Sequence, residues 1–219
     1  MRRLLYRFLQ PNGRKRVSPD TVVVVSGLPR SGTSMMMAML ERGGLFPLTD
    51  AIRLPDDDNP KGYYEFERVK QLEKGDVAWL AEAKGKAVKV ISALLKYLPP
   101  QYTYHVVYMN RQLTEVLDSQ RKMLQHKGQT VDPVSDAQLA KLMSTHETQV
   151  KAWLIKQPNF HVVEVDYNAI LNDPVTTAQR INAFLAYGLD EKRMVGVVDH
   201  GLYRNRGKSV TIRQGQNPS

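Results

Sequence analysis

Five β-branched residues in a row, Thr21 to Val25, run through Ser26 into Gly27, and Gly32-Thr33-Ser34 follows five positions later. A continuous apolar run bounded by turn residues predicts a buried central strand of a parallel sheet. The Met- and Leu-rich stretch Ser34 to Glu41 follows the turn directly and predicts a helix. A glycine-rich turn between such a strand and helix exposes successive backbone N–H groups, and the helix aims its positive end at the same point. Glycine permits both the backbone angles and the close approach. Val22 to Met35 therefore reads as a strand, phosphate loop and helix start.

Strand and helix signals alternate along the rest of the chain. Strands are expected at Ala87 to Ile91, His105 to Met109 and His161 to Val165. Helices are expected at Glu65 to Ala83, Thr114 to His126, Asp136 to Lys156 and Pro174 to Tyr187, the last with Asp173 as N-cap before a first-turn proline. Asp56 to Gly62 reads as a loop. The pattern predicts an α/β chain, a central parallel β-sheet flanked by helices on both faces, in a three-layer sandwich like that of P-loop NTPases. A length of 219 residues suits one domain, expected over 19–208, with a basic arm at 1–18 and a tail at 209–219.

Charge and cysteine content narrow the function classes. The net charge is +9, and Arg2, Arg3, Arg7, Arg14, Lys15 and Arg16 crowd the first sixteen residues. Such a surplus suits an anionic partner, and the basic N-terminus suits weak contact with anionic surfaces. Aromatic residues do not interleave with a basic patch, so nucleic acid is not expected as a partner. No apolar run approaches spanning length, so no transmembrane segment is expected. Absence of cysteine excludes disulfides, thiolate metal sites and a cysteine nucleophile, and fits a reducing, cytoplasmic compartment. The five histidines are scattered, and no metal is expected.

The loop Gly27-Leu28-Pro29-Arg30-Ser31-Gly32-Thr33-Ser34 has the glycine spacing of the Walker A motif. It carries Thr33 where an NTPase has its lysine, and places its basic residue inside the loop at Arg30. ATP hydrolysis is thereby disfavoured. The sequence Pro29 to Ser34 resembles the 5′-phosphosulfate loop of the PAPS-dependent sulfotransferases, P-[KR]-[ST]-G-T-[TS] (PAPS, 3′-phosphoadenosine 5′-phosphosulfate). That resemblance implies that Arg30 contacts the 5′-phosphate and bridging oxygen, and that Ser31, Gly32, Thr33 and Ser34 hold the phosphate. A second stretch agrees. Arg111 follows the strand Val106-Val107-Tyr108, and Ser119 stands eight positions later. The family binds the 3′-phosphate with an Arg and a Ser at this spacing, and a guanidinium offers a planar fork to a phosphate dianion. The segment His161 to Pro174 resembles the family's strand and Tyr, which implies that Tyr167 lies near the adenine. Arg204-Asn205-Arg206-Gly207-Lys208 loosely resembles an R-K-G segment, implying Arg204 and Arg206 at the 3′-phosphate. The resemblance covers about residues 20 to 208.

The implied function is transfer of a sulfuryl group from PAPS to an acceptor hydroxyl or amine, leaving adenosine 3′,5′-bisphosphate (PAP). Positive side chains at the leaving oxygen can stabilise such a transition state without a metal. Arg30 is the expected electrostatic catalyst and Lys89 a helper. Cytosolic members keep K-T-H on the strand matching Val88-Lys89-Val90-Ile91, so Ile91 stands where they have their histidine base. Glu65, in Asn59-Pro60-Lys61-Gly62-Tyr63-Tyr64-Glu65, is then the candidate base, with an ordinary helix-opening acid as its other reading; His105 is a weaker candidate. A P-loop kinase or NTPase and a non-catalytic module binding PAPS or PAP are the alternative functions. The acceptor and the oligomeric state are not readable from the sequence.

Overall fold

The structure, a computed structural model, describes residues 20–50, 52, 62–126, 128 and 136–198. The basic arm at 1–18, Asp56 to Lys61, Arg204, Arg206 and the tail at 209–219 lie outside the described residues.

Four strands, β1 (Thr21–Gly27), β2 (Ala87–Lys89), β3 (Thr103–Asn110) and β4 (Phe160–Asp166), form one parallel sheet in the order β2-β1-β3-β4. All seven residues of β1 are buried, which is why its residues need no alternation. Side chains of successive residues go to opposite faces. Val23, Val25, Val107, Met109 and Val165 join Met36, Met37 and Leu40 of α1 (Thr33–Arg42) on one face. Ile181 and Leu185 of α6 (Pro174–Leu185) and Met194 of α7 (Glu191–Val195) complete that layer. The other face carries Val22, Val24, Val88, Val106 and Tyr108. Leu80 of α2 (Leu80–Ala83), Leu95 and Leu154 of α4 (Asp136–Leu154) cover it, with Trp79. The result is the expected three-layer α/β arrangement with helices on both faces. β1 has β2 on one side and β3 on the other, so the loop after it opens at the switch in strand order, where open α/β sheets bind ligands.

Several expected boundaries differ. The helix expected over Glu65 to Ala83 is two pieces, a 3₁₀ helix Glu67–Lys74 and α2. Gly75 at φ 85 stops the first by turning its N–H back onto helix carbonyls. β2 ends at Lys89, and a 3₁₀ helix, Ser92–Tyr97, follows within three residues. The expected strand at His105 is longer at both ends. α3 (Leu113–His126) and α4 form as expected, whereas α5 (Tyr167–Asn172) and α7 were not signalled.

Asp173 caps α6 as expected, accepting from the Thr176 N–H at 3.0 Å. The Thr176 side-chain and backbone donors hold its carboxyl below the usual range. Stabilisation from a depressed carboxyl is present above the unfolded pKa and is lost as pH falls through the folded one. Asp173→Asn keeps a capping oxygen but not the titration. Its urea midpoint is therefore expected to fall less than the wild type's between neutral and acid pH.

Candidate functional site

The loop is built by its glycines. Gly27, at φ 145, ends β1 so close to β3 that a Cβ there would lie 2.5 Å from the Met109 carbonyl oxygen. Gly32, at φ 96, opens α1, and a Cβ there would meet the Tyr167 ring at 2.4 Å. Between them Arg30 takes a positive φ of 69, uncommon for a residue with a side chain. Ser31 N–H donates to the Leu28 carbonyl at 3.2 Å, and Met36 N–H to the Gly32 carbonyl at 3.1 Å. Thr33 and Ser34 occupy the first turn of α1, which has no acidic residue to oppose an anion. The Ser31 hydroxyl is buried with no protein partner among the described residues. A tight backbone cradle with an unpartnered hydroxyl at a helix N-terminus fits a phosphate.

The Arg111 and Ser119 pair expected from the sequence is packed directly on the loop. Arg30 donates from Nε to the Ser119 hydroxyl on α3 at 2.9 Å. Arg111, just past β3, donates from Nη1 to the Arg30 carbonyl at 3.0 Å and from Nε to Glu115 at 2.9 Å. Its guanidinium lies 4.2 Å from the centre of the Tyr167 ring. Tyr167 thus sits between Gly32 and Arg111; burial raises its hydroxyl's pKa, and the two arginines oppose the shift. Asn168 donates to the other Glu115 oxygen at 3.2 Å. Glu115 and Asn168 were not anticipated. The four-residue spacing of Arg111 and Glu115 on a helix start was the available signal for Glu115.

On the β2 side, Lys89 reaches the start of α1. Its ammonium donates to the Tyr63 carbonyl and lies 3.5 Å from the Ser34 hydroxyl. Glu65 is 4.0 Å from Lys89 and 3.5 Å from Lys70. Tyr64, at φ 52, holds this segment to α1 by donating its hydroxyl to Glu41 at 2.6 Å. Sequence-derived residues Arg30, Ser31, Gly32, Thr33, Ser34, Arg111, Ser119 and Tyr167 are therefore contiguous, with Lys89 and Glu65 beside them. His105 is not among them. It lies four residues down β3 from Met109, about 13 Å at strand rise, with its ring against His161 and Phe184. Burial and His161 both push its pKa down.

Among the described residues, no group of three or more His, Asp or Glu side chains is arranged to hold a metal ion, and no helix is long and apolar enough to cross a membrane.

No protein-family profile and no curated protein matches the chain. Solved structures do. The sulfotransferase domain from the Synechococcus PCC 7002 olefin synthase matches with a TM-score of 0.52 and 14% identity over 91% of this chain and 87% of that one. The sulfotransferase domain from the curacin biosynthetic pathway matches at 0.50 and 14% identity, over 82% and 78%. Retinol dehydratase, crystallised with androsterone and the inactive cofactor PAP, matches at 0.48 and 16% identity, over 84% of this chain and 65% of that chain, less than two thirds of its length. The fold is that of these sulfotransferase domains.

Proposed function

We propose that this chain moves a sulfuryl group from PAPS to an acceptor hydroxyl or amine and releases PAP. The observation that carries the proposal is the joining of two anion-binding elements: Arg30 of the loop donates to Ser119 while Arg111 donates to Arg30. One ligand with phosphate at both its 5′ and 3′ ends suits such a pair. In this reading Ser31, Gly32, Thr33 and Ser34 bind the 5′-phosphate, Arg111 and Ser119 bind the 3′-phosphate, and Tyr167 supports the nucleoside between them. Arg204 and Arg206, outside the described residues, are proposed to complete the 3′ end. The donor-binding unit spans 19–208, flanked by the arm and tail.

PAPS supplies an activated sulfuryl group whose leaving oxygen gains negative charge. In this reading Arg30 and Lys89 stabilise that charge as preorganised cations. Glu65 is engaged by Lys70 and Lys89. We assign it to positioning the Lys89 ammonium rather than to taking the acceptor's proton.

Thermal shift with PAP, AMP and ATP–Mg²⁺ side by side tests the donor assignment, because a ligand stabilises the form it binds in proportion to its occupancy. PAP is expected to stabilise most. A larger shift with ATP–Mg²⁺ would return the site to nucleoside triphosphate chemistry. Transfer from labelled PAPS then separates an enzyme from a binding module. Glu65→Gln is expected to lower transfer at least about tenfold with the PAP shift unchanged.

A further inference from the structure

A group of titratable side chains at the C-terminal ends of β2 and β3 has no part in the donor clamp. Ser92 is buried and opens the 3₁₀ helix three residues past Lys89. Its hydroxyl lies 2.9 Å from Nε2 of His146 on α4. Tyr108 is fully buried on β3, in register with Ser26, the residue before Gly27. Burial pushes the Tyr108 hydroxyl up to about 12; Glu147 adds to the shift and the Ser92 hydroxyl opposes it. The half-buried Glu147 carboxyl is itself raised, by burial first, with Lys151 opposing and Glu164 adding. Lys151 lies 2.8 Å from Glu164 and 5.4 Å from the centre of the Tyr108 ring. Asn110, beside Arg111, donates to Glu164 at 2.9 Å. His146 and Ser92 are thus hydrogen-bonded on the sheet face opposite α1, at the end of the sheet where the loop opens, and the Tyr108 hydroxyl is buried there without a hydrogen-bond partner among the described residues.

We infer that His146 takes the acceptor's proton, which places the acceptor site between the end of β2 and α4. The inference rests on the sulfuryl-transfer reading above. The reaction needs a proton acceptor, and the site's other groups are poorly suited. Arg30, Lys89 and Arg111 are cations. Glu65 faces two ammonium groups. His105 lies near the far end of β3 from the loop, packed on His161. An imidazole is the side chain whose ordinary titration range lets it accept a proton near neutral pH. We assign the tautomer in which Nε2–H donates to the Ser92 hydroxyl, which leaves the Nδ1 lone pair as the basic one. In the step, the acceptor oxygen or nitrogen bonds to sulfur, and the bond from sulfur to the bridging oxygen breaks. That electron pair leaves on the 5′-phosphate of PAP, and the acceptor's proton goes to His146 Nδ1. The charged groups of this cluster are Glu147 and Lys151, on α4 with His146, and Glu164 on β4, which Lys151 pairs at 2.8 Å.

Water can serve as the acceptor probe, with PAP release from PAPS measured across the imidazole titration range. The wild-type rate is expected to fall on the acid side of that range. His146→Asn is expected to lose at least about tenfold in rate and the acid limb with it, while the PAP thermal shift stays unchanged. Ser92→Ala keeps the imidazole but frees it, and is expected to lower the rate and displace the limb, which serves if the first variant folds poorly. A His146→Asn rate within about twofold of wild type, or an acid limb that persists, overturns the inference. So does a wild type that binds PAP yet releases none from PAPS. Failure of PAP to stabilise the wild type would instead remove the donor reading itself.

Discussion

Arg111→Ala is expected to lose about 3–5 kcal/mol of stability together with most of the preference for a 3′-phosphate. The side chains of Arg111 and Glu115 are only 8% and 2% exposed, and their ion pair spans 2.9 Å. Removing one member of a buried pair strands the other charge in a low-dielectric setting, and that penalty dominates the cost. Glu115 would lose its guanidinium partner and keep the Asn168 amide, and the Arg30 carbonyl would lose its guanidinium donor. Urea denaturation reads the stability change. Because the single variant joins two effects, the double variant Arg111→Ala/Glu115→Ala separates them. It is expected to regain most of the stability, since no unpaired charge remains, and still to bind PAP no better than AMP. Charge-assisted hydrogen bonds of about 1.5–3 kcal/mol correspond to roughly 10- to 160-fold in that preference. A double variant that still prefers PAP would remove Arg111 from the 3′-phosphate site.

Gly27→Ala is expected to be as damaging, for a different reason. The new methyl would stand 2.5 Å from a β3 backbone oxygen and 2.6 Å from the Ser31 hydroxyl, at φ 145. Backbone in the middle of a sheet cannot yield without breaking the β1–β3 register, which runs to Gly27↔Met109. A loss above about 3 kcal/mol is expected, with loss of the PAP thermal shift because the loop is displaced. Gly44→Ala is the matching control. It also has positive φ, 101, but nothing within 4 Å of the new methyl. It is expected to cost only about 1–2 kcal/mol of backbone strain and to leave PAP binding intact. Equal losses in the two variants would show that strain, and not the contact with β3, governs the loop.

The legibility of this chain was uneven, and the unevenness has a physical pattern. Elements whose signal is local were readable: the Val run, Gly27 and Gly32, the Asp173-Pro174 helix start, and Arg111 with Ser119 eight positions on. Burial on both faces forces a continuous apolar run, and a phosphate cradle forces glycine. The Glu65 to Ala83 helix was misjudged because one residue, Gly75, ends a helical pattern that the surrounding periodicity favours. α5 was missed because Tyr167 begins it immediately at the end of β4, with Asp166 as the last strand residue and its cap.

By itself, the sequence determined that β1 is buried within the sheet, that a glycine loop runs from it into a helix, and that Arg111 and Ser119 stand eight positions apart after β3. Runs, glycines and fixed spacings along one chain encode these. Tertiary structure alone decided that Arg30 grips Ser119 from 89 positions away and that His146 meets Ser92 across 54. It also decided that Tyr167 fills the space under Gly32, and that Glu65 is drawn to Lys89. These contacts depend on strand order and on which face each helix covers. No local pattern records either, because the energy that selects them comes from burying both faces of one sheet at once.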